Sequence, residues 1–139
     1  MELDTLEARP WIAAKLGCAP HALTITPLGG GVSNHVVLVD APGHVCVFKQ
    51  ALEKLRVEQD WRCARDRIFR ECAALRAVRA IVPPGAVPRV LLEDREQFTF
   101  AMEAAPADAQ PWKSPLLAGE VRLEWAERAG HLLGTWIRE

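Results

Sequence analysis

The chain has 139 residues, half of them hydrophobic and a quarter charged, with a formal net charge of −1. That size suits one domain or one lobe and is enough to bury a core, while the near-neutral balance provides no global field for nucleic acid or an acidic membrane surface. No run approaches the roughly 18 apolar residues of a membrane span, and the acidic start "MELDTLEARP" lacks the apolar core of a secretory signal. The expected compartment is therefore the cytoplasm. Cys18, Cys46, Cys63 and Cys72 form no CxxC pair, and His21, His35, His44 and His131 do not cluster with them. They read as reduced thiols, with no zinc site expected.

In chain order, the first segment reads as a short helix over 11–16, with Pro10 in its first turn and Gly17 past its end. "ALTITPL" (22–28) has the β-branched content of a strand, and "LGGGVSN" follows from Leu28. "HVVLVDA" (35–41) and "VCVFKQ" (45–50) flank a Pro-Gly turn and form a hairpin. A charged helix is expected over 60–80, because Trp61, Ala64, Ile68, Cys72, Leu75 and Val78 recur at helical spacing. Arg56, Arg62, Arg65, Arg67 and Arg70 interleave with Glu58, Asp60 and Asp66, which reads as a solvated helix face and not a phosphate footprint. "VPPGAVP" stops the helix; 89–94 and 97–103 are two further strands; 104–115 reads as a linker; 120–139 is helical. Five short strands, mostly in hairpins, with a helix after the third predict an α+β fold: an antiparallel sheet with a helix packed on it.

A glycine triplet can be a turn, a spacer or a close approach to a ligand. A dinucleotide fingerprint requires a helix after the glycines, but "VVLVD" is strand-like and the spacing is not GxGxxG. No Gly-Lys-Ser/Thr ends the stretch, so it is not a Walker A loop either. A hairpin folded over phosphates, as in kinases, asks for a lysine on a following strand and a carboxylate on the next helix to hold it. Lys49 and Glu71 stand in that order. Lys49 also interrupts an apolar strand, where a lysine on a buried face needs a partner.

At "LGGGVSN", "VFKQAL", "RIFRECAAL", "VPRVLLED", "FAME" and "AERAGHLLG" the chain resembles the N-terminal lobe of the aminoglycoside phosphotransferase and choline kinase-like family, which has the protein-kinase fold. "KQALEKLRV", Trp61 and the downstream Arg and Glu are similar to the methylthioribose kinase branch. The resemblance implies a kinase-like lobe over 1–105, with 106–139 as linker and first helix of a second lobe. It implies ATP as cofactor: Gly29, Gly30 and Gly31 cover its phosphates, Ser33 offers a hydroxyl or N–H, and Asn34 shapes the loop. Lys49 binds the α- and β-phosphates and Glu71 pairs with Lys49. Val36, Val47 and Met102 contact the base, with the Glu103 C=O and the Ala105 N–H on the adenine edge.

The family's catalytic aspartate, in a His-Gly-Asp loop, and its Mg²⁺-binding acid belong to the second lobe. This sequence has no His-Gly-Asp and no aspartate after Asp108. The expectation is a nucleotide-binding lobe of a phosphotransferase acting on a small-molecule hydroxyl, inactive as these 139 residues, with Mg²⁺ bound only in the presence of the second lobe. The alternative is a non-catalytic α+β interaction module. Val121, Trp125, Ala129, Leu132 and Trp136 form one apolar stripe, and Leu123, Ala126, Leu133 and Ile137 another. Such a helix seeks cover on several sides, so self-association through 120–139 is expected.

Overall fold

The structure, a computed structural model, describes residues 1–3, 5–29 and 31–138, the last by its backbone only. Helix α1 (Ala8–Leu16) and a 3-10 turn (Pro20–Ala22) precede strands β1 (Thr24–Pro27), β2 (Asn34–Ala41) and β3 (His44–Ala51). Then come α2 (Arg67–Ile81), β4 (Val90–Asp94), β5 (Thr99–Glu103), α3 (Lys113–Leu117) and α4 (Leu123–Arg138). The strands form one sheet in the order β1-β2-β3-β5-β4, with every neighbouring pair antiparallel. The fold is α+β, as the strand and turn pattern predicts, with the architecture of a kinase-like N-lobe. Among the described residues no helix is long and apolar enough to cross a membrane.

Local chemistry explains the turns. Gly17 ends α1 in the left-handed region at φ 68°, and the N–H groups of Gly17 and Cys18 close on the carbonyls of Ala14 and Ala13. The β2–β3 turn pairs Ala41 with His44 across Pro42 and Gly43, whose φ is 76°. Proline followed by a positive-φ glycine is what a tight type II turn requires.

Because a strand alternates its side chains, the two faces of the sheet carry different partners. Val37, Val39, Cys46, Phe48 and Ala101 meet Ala8, Ile12 and Ala13 of α1, and the Trp11 ring stands edge-on to Phe48 at 5.9 Å. The opposite face meets α2 through Ala51, Phe100, Ile68 and Cys72. Lys15 pins α1 to the end of β4 by a 2.6 Å ion pair with Asp94.

Several boundaries differ from expectation. α1 begins at Ala8, so Pro10 lies inside its first turn, where no intrahelical N–H partner is lost. α2 begins at Arg67, not near 60: the N–H groups of Leu55 and Cys63 donate to the carbonyls of Trp61 and Glu53, folding that segment back on itself. Trp61 is therefore no part of the helical stripe and is 60 % exposed, and Ala64 also precedes the helix. The reading of the arginines as one solvated helix face fails for the same reason, since Arg56, Arg62 and Arg65 precede α2. The segment expected to be a linker contains the start of α3.

Candidate functional site

Lys49 is the organising residue. It lies on β3, where the register sets it opposite Val36 on β2 and Phe100 on β5. Directly opposed residues share a sheet face, so Lys49 points to the side that α2 covers. Its Nζ lies 2.6 Å from Oε1 of Glu71, with the two side chains 21 % and 39 % exposed. Glu71 precedes the buried Cys72 and lies one turn past Arg67 on α2. Packing of Ile68 and Cys72 on Phe100 and Ala51 holds the helix where Glu71 reaches the strand lysine.

The next row of the same face is apolar. Val47 pairs with Leu38 on one side and with Met102 on the other. Val47 is buried, whereas Val36, Leu38 and Met102 are half-buried. The four make an incompletely covered apolar strip beside Lys49.

The glycine stretch leads into β2. The Leu28 N–H donates to the Val36 carbonyl at 2.8 Å, closing the loop's neck. Gly29 and Gly31 are not in the left-handed region, and a Cβ on either would meet nothing within 4 Å. Neither backbone strain nor packing inside the protein explains glycine at these two positions. Gly30 lies outside the described residues. Asn34 Nδ2 donates to Ser33 Oγ at 3.0 Å, so these two side chains order the loop's exit.

The loop's foot is tied down by residues that sequence reading did not single out for this purpose. The Ser33 carbonyl accepts from the Leu52 N–H at 3.0 Å and from Arg67 Nη2 at 2.6 Å. The Val32 carbonyl accepts from the Arg56 N–H at 2.8 Å. Arg56 Nη2 also lies 2.6 Å from Nδ1 of the buried His35. A guanidinium can only donate, so this contact uses Nδ1 as its acceptor. Arg65 donates to the carbonyls of Ala51 and Gln97. Buried Gln50 accepts from the Leu3 N–H and donates to the carbonyls of Met1 and Gln97, fastening the N-terminal segment to β3. The available signal was arginines placed immediately before a helix that follows a strand, a pattern with no period to detect.

At the far end of β5, the Glu103 carboxylate accepts from the backbone N–H and the Nε of Arg89, both at 2.9 Å, with Arg79 at 3.6 Å. The Arg89 backbone N–H, followed by the Arg89 and Arg79 charges, holds the Glu103 carboxyl below the ordinary carboxylate range. Ala105 lies beyond the strand and is exposed. Among the described residues no group of three or more His, Cys, Asp or Glu could hold a metal ion.

A five-stranded antiparallel sheet, a glycine loop leading into its second strand, and a strand lysine ion-paired to a glutamate on the packed helix define a kinase-like lobe. Over 98 residues the chain is 38 % identical to methylthioribose kinase 2 and 37 % identical to methylthioribose kinase 1, both of Oryza sativa subsp. japonica. Each match covers 70 % of this chain and 23 % of the relative, so the chain spans less than a quarter of the length of these curated relatives. It is homologous to methylthioribose kinases over that stretch. No family profile matches the chain.

Proposed function

We propose that this chain is the nucleotide-binding lobe of an ATP-dependent small-molecule phosphotransferase of the aminoglycoside phosphotransferase and choline kinase-like kind. The observation that carries the reading is the Lys49–Glu71 ion pair, set on the same sheet face as the half-open apolar strip. In the proposed site, backbone N–H groups of Gly29, Gly30 and Gly31 approach the phosphates, with Ser33 and Asn34 at the loop's exit. Lys49 neutralises charge on the α- and β-phosphates, and Glu71 keeps its ammonium extended toward them. Val36, Val47 and Met102 wall the base, and the backbone of Glu103 and Ala105 meets its edge. Residues 1–105 form this lobe, and 106–139 form a linker and the first helix of a second lobe.

Bound ATP would supply the transferable phosphoryl group; the chain's own residues bind and orient it. Positioning and charge neutralisation provide most of the catalysis in phosphoryl transfer. No acid that would position an acceptor hydroxyl or hold Mg²⁺ is assigned in these 139 residues, so the polypeptide alone binds nucleotide weakly and does not turn it over. In a longer parent, a hydroxyl on a sugar-like molecule such as the relatives' methylthioribose is the acceptor to test first, and the setting is cytoplasmic. The test is titration of the chain with ATP, with and without Mg²⁺, followed by NMR or calorimetry. Weak saturable shifts at Gly29, Gly31, Val36 and Lys49 are expected. Absence of any ATP-dependent shift at these residues would refute the reading, and real turnover in a coupled ADP-release assay at high protein concentration would refute the inactivity.

A second reading rests on α4. Leu123, Leu133, Trp136 and Ile137 are more than half exposed, while Leu132, Leu133 and Trp136 also line an apolar recess with Val78, Val82 and Val87. On this reading the chain is an interaction module that self-associates through 120–139. Sedimentation that shows a clean monomer across a wide concentration range removes it.

A further inference from the structure

We infer that Arg67 positions the glycine loop over Lys49 and couples that loop to α2; the inference rests on the nucleotide-binding reading above. The guanidinium of Arg67 is spent on backbone carbonyls. Nη2 donates to Ser33 at 2.6 Å and to Leu52 at 2.9 Å. Nη1 donates to Ala64 at 2.8 Å and to Cys63 at 3.3 Å. One planar group thereby joins the exit of the glycine loop, the end of β3 and the approach to α2. A planar fork of donors can span several acceptors in fixed directions, which a lysine ammonium cannot reproduce.

The geometry gives this junction a specific consequence. The Ser33 carbonyl also accepts the Leu52 N–H, and the Val32 carbonyl accepts the Arg56 N–H. The foot of the loop therefore rests on the segment between β3 and α2 and not on the sheet alone. Lys49 lies just before Leu52 on the one side, and Glu71 lies one turn after Arg67 on the other. The same helix face thus holds the lysine by a carboxylate and the loop by a guanidinium. Any shift of α2 moves the loop's foot and the lysine's partner together. Arg67 touches no phosphate in this account; it is a positioning residue, and its effect falls on the phosphate end of the site, away from the base-walling Val47 and Met102.

The test compares ATP with adenosine, which lacks phosphates, on wild-type protein, Arg67→Gln and Arg67→Lys, with NMR read-out of binding and of amide hydrogen exchange. Arg67→Gln is expected to keep the Val37, Val39 and Phe48 amides protected while the Leu52 and Arg56 amides exchange faster. Its ATP affinity should fall by about tenfold, the loss of one charge-assisted contact network, with adenosine affinity unchanged and Arg67→Lys in between. If Arg67→Gln does not fold, the same split is read on Arg67→Lys. Equal loss of ATP and adenosine, or unchanged exchange at Leu52 and Arg56, overturns the positioning role. Wild-type protein that binds neither ligand overturns the nucleotide reading itself and, with it, the phosphate role of Arg67.

Discussion

Lys49 and Glu71 lie 22 positions apart in the chain and meet at 2.6 Å, joining the third strand to the second helix. The contact is partly open to solvent on both sides. An ion pair in that setting contributes at most about 1 kcal/mol to stability. Its value is therefore more readily sought in what it orients than in what it stabilises. Replacing Lys49 by Met should leave the unfolding free energy within about 1 kcal/mol of wild type and remove detectable ATP binding. Urea denaturation and NMR titration measure the two effects on one sample. A variant that binds ATP as wild type does would remove Lys49 from the site.

The core on the α1 face should behave differently. Phe48 has no exposed surface and meets Trp11 edge to face. Phe48→Ala removes a large buried side chain between two elements and should cost about 3–5 kcal/mol. Thermal or urea unfolding checks this. A loss below about 1 kcal/mol would mean that α1 does not seal that face as described.

Asp94 provides an acid-sensitive contact. Burial opposes its charge, but the hydrogen bond from Lys15 and the Gln97 N–H outweigh that burial and hold its carboxyl below the ordinary aspartate range. A carboxyl lowered on folding contributes stability that is fully present above the unfolded pKa, roughly 3.9, and is lost as pH falls through the lower folded value. Asp94→Asn should therefore lower stability at neutral pH and flatten the decline on the acid side. Parallel acid-side curves for the two proteins would show that the Lys15–Asp94 contact is not the source.

The thiols should divide into two classes. Burial, reinforced by the Glu93 charge, pushes Cys72 up to about 11, and burial pushes Cys46 up as well. Both are inside the protein, whereas Cys18 and Cys63 are half-buried. Since the thiolate is the reactive form, Cys46 and Cys72 should resist a thiol reagent at pH 8 while Cys18 and Cys63 react. Mass spectrometry of labelled peptides distinguishes them, and all four should label in urea. Rapid native labelling of Cys72 would contradict the packing of α2 on the sheet.

The strands and turns were legible in the sequence because their causes are local. β-branched alternation marks the hairpin of β2 and β3, and Pro42-Gly43 sets its turn. Lys49 stood out because a charge interrupts an apolar strand, and Glu71 because it lies on the next helix beside an apolar stripe. The periodicity of Ile68, Cys72 and Leu75 also identified the packed helix, yet the same spacing extended it backward to Trp61, where the chain instead folds on Glu53 and Leu55. Periodicity records which residues could share a face; it does not record which carbonyl an N–H will choose.

By itself, the sequence determined the order of the five strands and of the helix packed on them, the antiparallel class of the sheet and the residues available for a phosphate site, since these follow from side-chain alternation, turn chemistry and residue type within short windows. Only the tertiary structure decided where α2 begins, that Arg67 leaves the solvated face to gather carbonyls from Ser33, Leu52 and Ala64, and that Glu103 turns its carboxylate to Arg89. Those choices depend on which backbone groups are left unpaired once the sheet and the helices have packed. That is a property of distant segments brought together, with no period or motif to announce it.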